Sequence, residues 1–153
     1  MTRINADLSP AALSDQHLMA EYRELPMVLS ALRRSFQTQP IETILEKIPE
    51  HFVLGKGHVT FFYDKLEFLE HRYYQLRREL KHREFQLTER DVDFSGFPQI
   101  LYNNWRSRDK DRQVIRARIR ERLKKRPTWY RWFGTVDTYR RHCQRLMFDS
   151  LIM

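Results

Sequence analysis

SDQHLMAEYRELPMVLSALRRSF, residues 14–36, is the stretch that decides the fold. Leu18, Tyr22, Leu25, Leu29, Leu32 and Phe36 recur at alternating four- and three-residue spacing. On an α-helix that spacing lays one apolar stripe along about six turns. Ser14 or Asp15 suits the N-cap. A second stripe, Phe62, Leu66, Leu69, Tyr73, Leu76 and Leu80, predicts a second long helix running into the polar stretch 81–84. A third helix is predicted over Asp109–Lys125, with Val114, Ile115, Ile119 and Leu123 inward, the arginines outward and Pro127 marking the end. Gln39-Pro40, Gly55-Lys56-Gly57 and Ser95-Gly96-Phe97-Pro98 punctuate the connectors. The expected architecture is a compact all-α single domain of three main helices with irregular connectors. Beyond Gly134, Val136, Tyr139, Cys143, Leu146 and Met147 have weak helical spacing, read as an additional C-terminal helix packed on the same domain. The chain divides into a domain over 1–134 and an extension over 135–153.

A length of 153 residues fits one domain and is short for two. The lone Cys143 has no internal disulfide partner. Charged residues at 31%, with a mean hydropathy of −0.70, describe a soluble chain without a membrane span. The start, MTRINADLSP, has no apolar segment of the secretory kind. The expected location is the cytoplasm.

The net charge is +8, which favours a polyanionic partner. From Arg106 to Arg126 eleven Lys/Arg stand against Asp109, Asp111 and Glu121, a local excess of eight that equals the charge of the whole chain. Such a run is a solvated helix face or a surface for a polyanion, and its self-repulsion favours the second. A membrane-surface helix would need a bulky apolar face opposite the arginines. Ile115, Ile119 and Leu123 are better placed in a core.

Met1 followed by a small residue is the context in which an initiator is removed, exposing the α-amine of Thr2. With a reference pKa of about 7.7–8.0, that amine is partly neutral near pH 7 and is a candidate nucleophile. Arg3 and Arg23 would depress it further if they converge on it. Read alone, Thr2 is equally an ordinary frayed terminus. On the first helix His17 and Glu24 are nearly two turns apart and share a face, with Arg23 adjoining. Glu21-Tyr22-Arg23-Glu24 reads equally well as a solvated charged patch. Pro26 deprives the Tyr22 carbonyl of its helical partner at a cost of about 3 kcal/mol, and a kink there is compatible with a site.

Arg126-Pro127-Thr128-Trp129-Tyr130-Arg131-Trp132-Phe133-Gly134 places four aromatics and two arginines directly after the basic helix. Such residues stack on or wedge between bases and anchor phosphate, or else they are core. The six histidines have no zinc spacing and Gly55-Lys56-Gly57 is not a phosphate loop, so neither a metal nor a nucleotide or flavin cofactor is expected.

Four separated blocks carry a resemblance: Met1–Asn5, Asp15–Pro26, GHVTFFYDKLEFL (57–69) and RPTWY (126–130). Together they resemble the pyrimidine-dimer DNA glycosylase family of the phage endonuclease V type, over residues 1 to about 134. The resemblance implies a metal-free monomer acting on double-stranded DNA that holds pyrimidine dimers or abasic sites, and binding undamaged DNA non-specifically. It implies that the Thr2 amine attacks the sugar C1′ of the 5′ base, forms an imine and cuts the strand by β-elimination. Glu24 takes the catalytic carboxylate position. Arg3, Gln16, His17 and Arg23 fall at lesion-contacting positions, with Arg118, Arg122, Trp129, Tyr130 and Arg131 on the DNA surface. Met27 stands directly after Leu25-Pro26, where the family's founding member has an arginine. The rival reading is a non-enzymatic basic helical DNA-binding protein, against which Thr2, Arg3, Arg23 and Glu24 together argue.

Overall fold

A computed structural model describes residues 3–88 and 91–152, with side chains up to residue 148. The stretch 14–36 forms the spine of α1 (Asp15–Thr38). Ser14 caps it, its hydroxyl accepting from the His17 N–H at 3.2 Å. All of the expected stripe is buried except Phe36, which is half-buried, and Val28 joins it. α1 packs chiefly against α4 (Leu66–His82). At their contact the Tyr22 and Tyr73 rings stack with centroids 5.1 Å apart, and the Tyr73 hydroxyl donates to that of Tyr22 at 3.3 Å.

The second stripe is not one helix. It is divided into α3 (His58–Phe61), a 3₁₀ turn at Phe62–Asp64 and α4, with Lys65 non-helical at φ −128°, ψ 44°. The cause is tertiary. Asn103 donates through Nδ2 to the Asp64 carbonyl at 2.8 Å, the acceptor a continuous helix would offer to Phe68. The Phe68 N–H turns instead to the Asn103 carbonyl at 3.3 Å. The break lets Phe61, Phe62 and Phe68 meet Phe52 and Trp105 in one aromatic cluster, with ring centroids 5.1–6.2 Å apart.

α5 (Asp109–Lys125) has the expected bounds, and Ile115, Ile119 and Leu123 are buried. Two expectations for this helix are corrected. Val114 is exposed, because the inward face is centred on Ile115 and Ile119. Arg116 is buried rather than outward, donating through Nε to the Leu146 carbonyl of α6 (Tyr139–Ile152) at 3.1 Å. A short helix, α2 (Ile41–Glu46), occupies a connector read as irregular. The aromatic segment folds as a small antiparallel hairpin, β1 (Arg131–Trp132) with β2 (Thr135–Val136). The structure is thus mostly helical with one hairpin, whose positive-φ turn is Phe133-Gly134. The 134/135 division falls at that turn, and α6 packs on α5.

Candidate active site

Three successive residues near the start of the chain are fixed by three different acceptors. The Arg3 N–H donates to Glu24 Oε2 at 3.1 Å, the Ile4 N–H to His58 Nε2 at 2.9 Å, and Asn5 Nδ2 to Glu21 Oε1 at 2.8 Å. Farther along, the Asp7 carboxylate accepts from the Ser107 N–H at 3.1 Å and from the Ser107 hydroxyl. The Leu8 carbonyl accepts from Arg72. With Ile4, Ala6 and Leu8 fully buried, residues 3–8 form a strap tied down along its length.

His17, Glu21 and Glu24 follow one another at four and three residues, one face of α1. They line a cleft of about 270 Å³ with Arg3 from the strap and Arg118 and Arg122 from α5. The Glu21 charge is committed to Arg72, whose Nε lies 2.6 Å from Oε2. Glu24 is therefore the carboxylate that faces three guanidiniums. Burial, and after it their mutual repulsion, favours the neutral form: burial first, then Arg3 and Arg122, bring the Arg118 pKa down to about 10, against the pull of Glu24 and Glu121. Arg3 is lowered by burial and by Arg122, with Glu24 opposing. One carboxylate does not neutralise this corner, and the cleft keeps a positive potential.

His17 forms one wall. Its ring stacks on Tyr130 with centroids 4.7 Å apart, and Nδ1 lies 2.7 Å from the Ser14 hydroxyl. Burial, then the neighbouring His142, Arg122 and Arg118, depress its pKa to about 4, so the ring is neutral at pH 7. The Ser14 oxygen thus meets both the backbone N–H and the ring of His17, which fixes the orientation of the imidazole. The ring Nε2 is buried without a hydrogen-bond partner among the described residues.

The aromatic segment is stitched to the first turn of α1. Gln16 donates to the Trp129 carbonyl and accepts from the Arg131 N–H, both at 2.8 Å. Asp15 accepts from the Phe133 and Gly134 N–H groups at 3.1 and 2.8 Å. Tyr130 is buried behind His17, whereas Trp129 is exposed with the Arg126 guanidinium 3.9 Å above its ring. Arg131 is exposed on β1.

Of the residues singled out from sequence, Arg3, His17, Glu24, Arg118 and Arg122 converge on the cleft. Gln16, Trp129, Tyr130 and Arg131 do not line it: Tyr130 stands behind the His17 wall, and Gln16 holds Trp129 and Arg131 at the first turn of α1. Arg23 does not join them. It is exposed and lines a separate groove with Tyr22, Pro26 and Tyr73, so Arg118 and Arg122, not Arg23, accompany Arg3. Thr2 lies outside the described residues. The run 21–24 is not a uniformly solvated patch, since Glu21 is buried. Sequence reading missed Glu21, Arg72 and His58. Arg72, in the turn of a stripe that also carries Leu69, Tyr73 and Leu76, was the available signal for a buried charge that needs a partner.

A cationic cleft lined by the Glu24 carboxylate, on a basic helical frame, is a site for chemistry on a polyanion. A family model described as pyrimidine dimer DNA glycosylase matches residues 1–93, and the chain belongs to that family. It is accordingly a DNA-repair glycosylase that acts on DNA containing pyrimidine dimers. The matched span holds the strap, α1 and α4; α5, the hairpin and α6 lie beyond it.

Proposed function

We propose that this glycosylase uses the α-amine of Thr2, freed by removal of Met1, as its nucleophile, and that it is also an abasic-site lyase. The observation that carries the reading is the 3.1 Å hydrogen bond from the Arg3 N–H to Glu24 Oε2 inside the cationic cleft. Covalent geometry keeps the nitrogen of residue 2 within one residue's span, roughly 3.6 Å, of the Arg3 nitrogen. A positive potential disfavours protonation of an amine there, holding it below the ordinary α-amino range of about 7.7–8.0.

The amine nitrogen bonds to C1′ of the 5′ nucleotide as the bond from C1′ to the base breaks, and the base leaves with that electron pair. Glu24 stabilises the positive charge that builds on the sugar. Loss of the nitrogen proton opens the ring to an imine. Removal of a C2′ proton then expels the 3′ phosphate by β-elimination, and water releases the amine. Glu24 is the group that assists these proton transfers. For an abasic site the same path begins at the free C1′ aldehyde.

Arg3, Arg118 and Arg122 hold phosphates beside the lesion, and the neutral His17 forms the wall beside them, its buried Nε2 unpartnered among the described residues. Arg23 meets the backbone from the neighbouring groove, and Gln16 sets Trp129 and Arg131 against the duplex, with Tyr130 supporting them from behind, stacked on His17. At about 270 Å³ the cleft is smaller than the roughly 300–1,000 Å³ of small-molecule sites, as suits one sugar and its phosphate on a polymer. The protein acts as a monomer in the cytoplasm, with no metal or organic cofactor in the chemistry. No described helix is long and apolar enough to cross a membrane. The reading is tested with Glu24→Gln, which keeps the shape but not the charge. Strand cutting at dimers should fall by at least about a hundredfold with DNA binding retained; cutting at the parental rate removes Glu24 from the chemistry.

A further inference from the structure

We infer that His58 is a positioning residue for the reaction: its imidazole holds the Ile4 N–H and so sets the start of the chain in register with Glu24. The inference rests on the reading of Thr2 as the nucleophile.

His58 is almost wholly excluded from solvent and uses both ring nitrogens. Nδ1 lies 2.8 Å from the Val53 carbonyl, an acceptor only, so Nδ1 carries the proton. Nε2 is left with its lone pair, directed at the Ile4 N–H 2.9 Å away. The two bonds are compatible only with this neutral tautomer. A wall of Phe52 and Phe62, each edge-on at about 5.4 and 5.5 Å, fixes the ring plane. Burial lowers the imidazole pKa, with Arg3 and Arg118 adding to it against the Val53 hydrogen bond and Glu21, so the acceptor persists at pH 7.

The support extends one step back. Gly57, which precedes His58, has φ +90°, and a Cβ there would sit 3.1 Å from Pro49 and 3.4 Å from Val53. The turn that carries His58 is therefore packed closely on the loop that presents the Val53 carbonyl. From Val53 through His58 to Ile4 runs a brace that ends two residues from the proposed nucleophile. A misplacement of about 1 Å at a reacting group can cost on the order of a hundredfold in rate, whereas the phosphate contacts of Arg118 and Arg122 come from α5 and do not move with the strap.

The test compares His58→Asn with His58→Gln. Asn keeps an amide near Nδ1 to serve Val53 but falls short of Ile4; Gln returns a neutral acceptor near the position of Nε2. On saturating duplex carrying one abasic site, the Asn variant should form the borohydride-trapped adduct at least roughly tenfold more slowly than the parent. Its Kd for the same duplex should stay within about twofold, and the Gln variant should recover to within about threefold of the parental rate. Hydrogen exchange of the Ile4 amide should accelerate in the Asn variant and slow again with Gln. Equal trapping rates in parent and Asn variant, or in Asn and Gln variants, would overturn the role of His58. Mapping the parental adduct separates the two readings. Attachment at Thr2 with unaltered Asn rates removes only His58, and attachment to a lysine side chain removes the Thr2 reading and this inference with it.

Discussion

The Glu21 carboxylate and the Arg72 guanidinium form an ion pair across α1 and α4, 2.6 Å from Nε to Oε2, with side chains 0% and 1% exposed. Each partner has a second duty toward the strap, Glu21 to Asn5 and Arg72 to the Leu8 carbonyl. Replacing one leaves the other charged, buried and unmatched. Arg72→Leu should lower the unfolding free energy by about 3–5 kcal/mol, read by urea denaturation. Glu21→Leu with Arg72→Leu should recover part of that loss. A single variant as stable as the parent would mean that the pair is not closed to water in solution.

Affinity for undamaged duplex should fall steeply with salt, each neutralised phosphate contributing about −0.9 to the log–log slope. Replacing Arg118 and Arg122 together with glutamine should flatten the slope by roughly two. An unchanged slope would move the DNA to another surface.

His17 titrates near 4 in the folded protein, below an unfolded imidazole at about 6.5. The unfolded chain therefore binds the extra proton first as pH falls. The stability this group contributes is complete above about 6.5 and is lost progressively as pH drops toward 4. His58 and His142, also lowered, act in the same direction. The His17 ring resonance should titrate near 4, and His17→Gln should make the acid slope of stability shallower by about one proton. A midpoint near 6.5 would place the ring in water, away from Tyr130.

Asp15 holds the hairpin turn and also meets Arg83, 3.0 Å from Oδ1. Asp15→Ala together with Gln16→Ala should remove the hydrogen bonds that tie the aromatic segment to the first turn of α1 and weaken DNA binding roughly tenfold, about 1.4 kcal/mol. Fluorescence anisotropy with labelled duplex reads this directly. Unchanged affinity would show that the aromatic segment contributes no binding surface.

Local patterns made much of this legible. The stripe from Leu18 to Leu32 requires only helical periodicity, and His17 and Glu24 share a face for the same reason. What escaped depends on groups distant in the chain. The break at Lys65 is imposed by Asn103, which no window around residues 57–80 contains. Glu21 is 51 residues from Arg72, and His58 is 54 from Ile4, so neither looks different from a surface charge or a spare histidine until the chain is folded. Arg23 shows the converse. Adjacency to Glu24 in sequence suggested adjacency in space, but one residue is about 100° around a helix, and it faces another groove.

The most direct test of the imine chemistry is borohydride reduction of the protein on duplex DNA with a single pyrimidine dimer, followed by mass-spectrometric mapping of the cross-linked residue. Reduction freezes the bond only where a neutral amine has reached C1′. The expected adduct is on the α-nitrogen of Thr2. A matched chain with Met1 retained, whose Thr2 nitrogen is an amide, should bind the DNA and give no adduct. Lys65 is a poor competitor, its ammonium held by the Phe61 carbonyl and Asp64. An adduct on a lysine side chain, with the Met1-retaining chain still cutting at the parental rate, would contradict the mechanism.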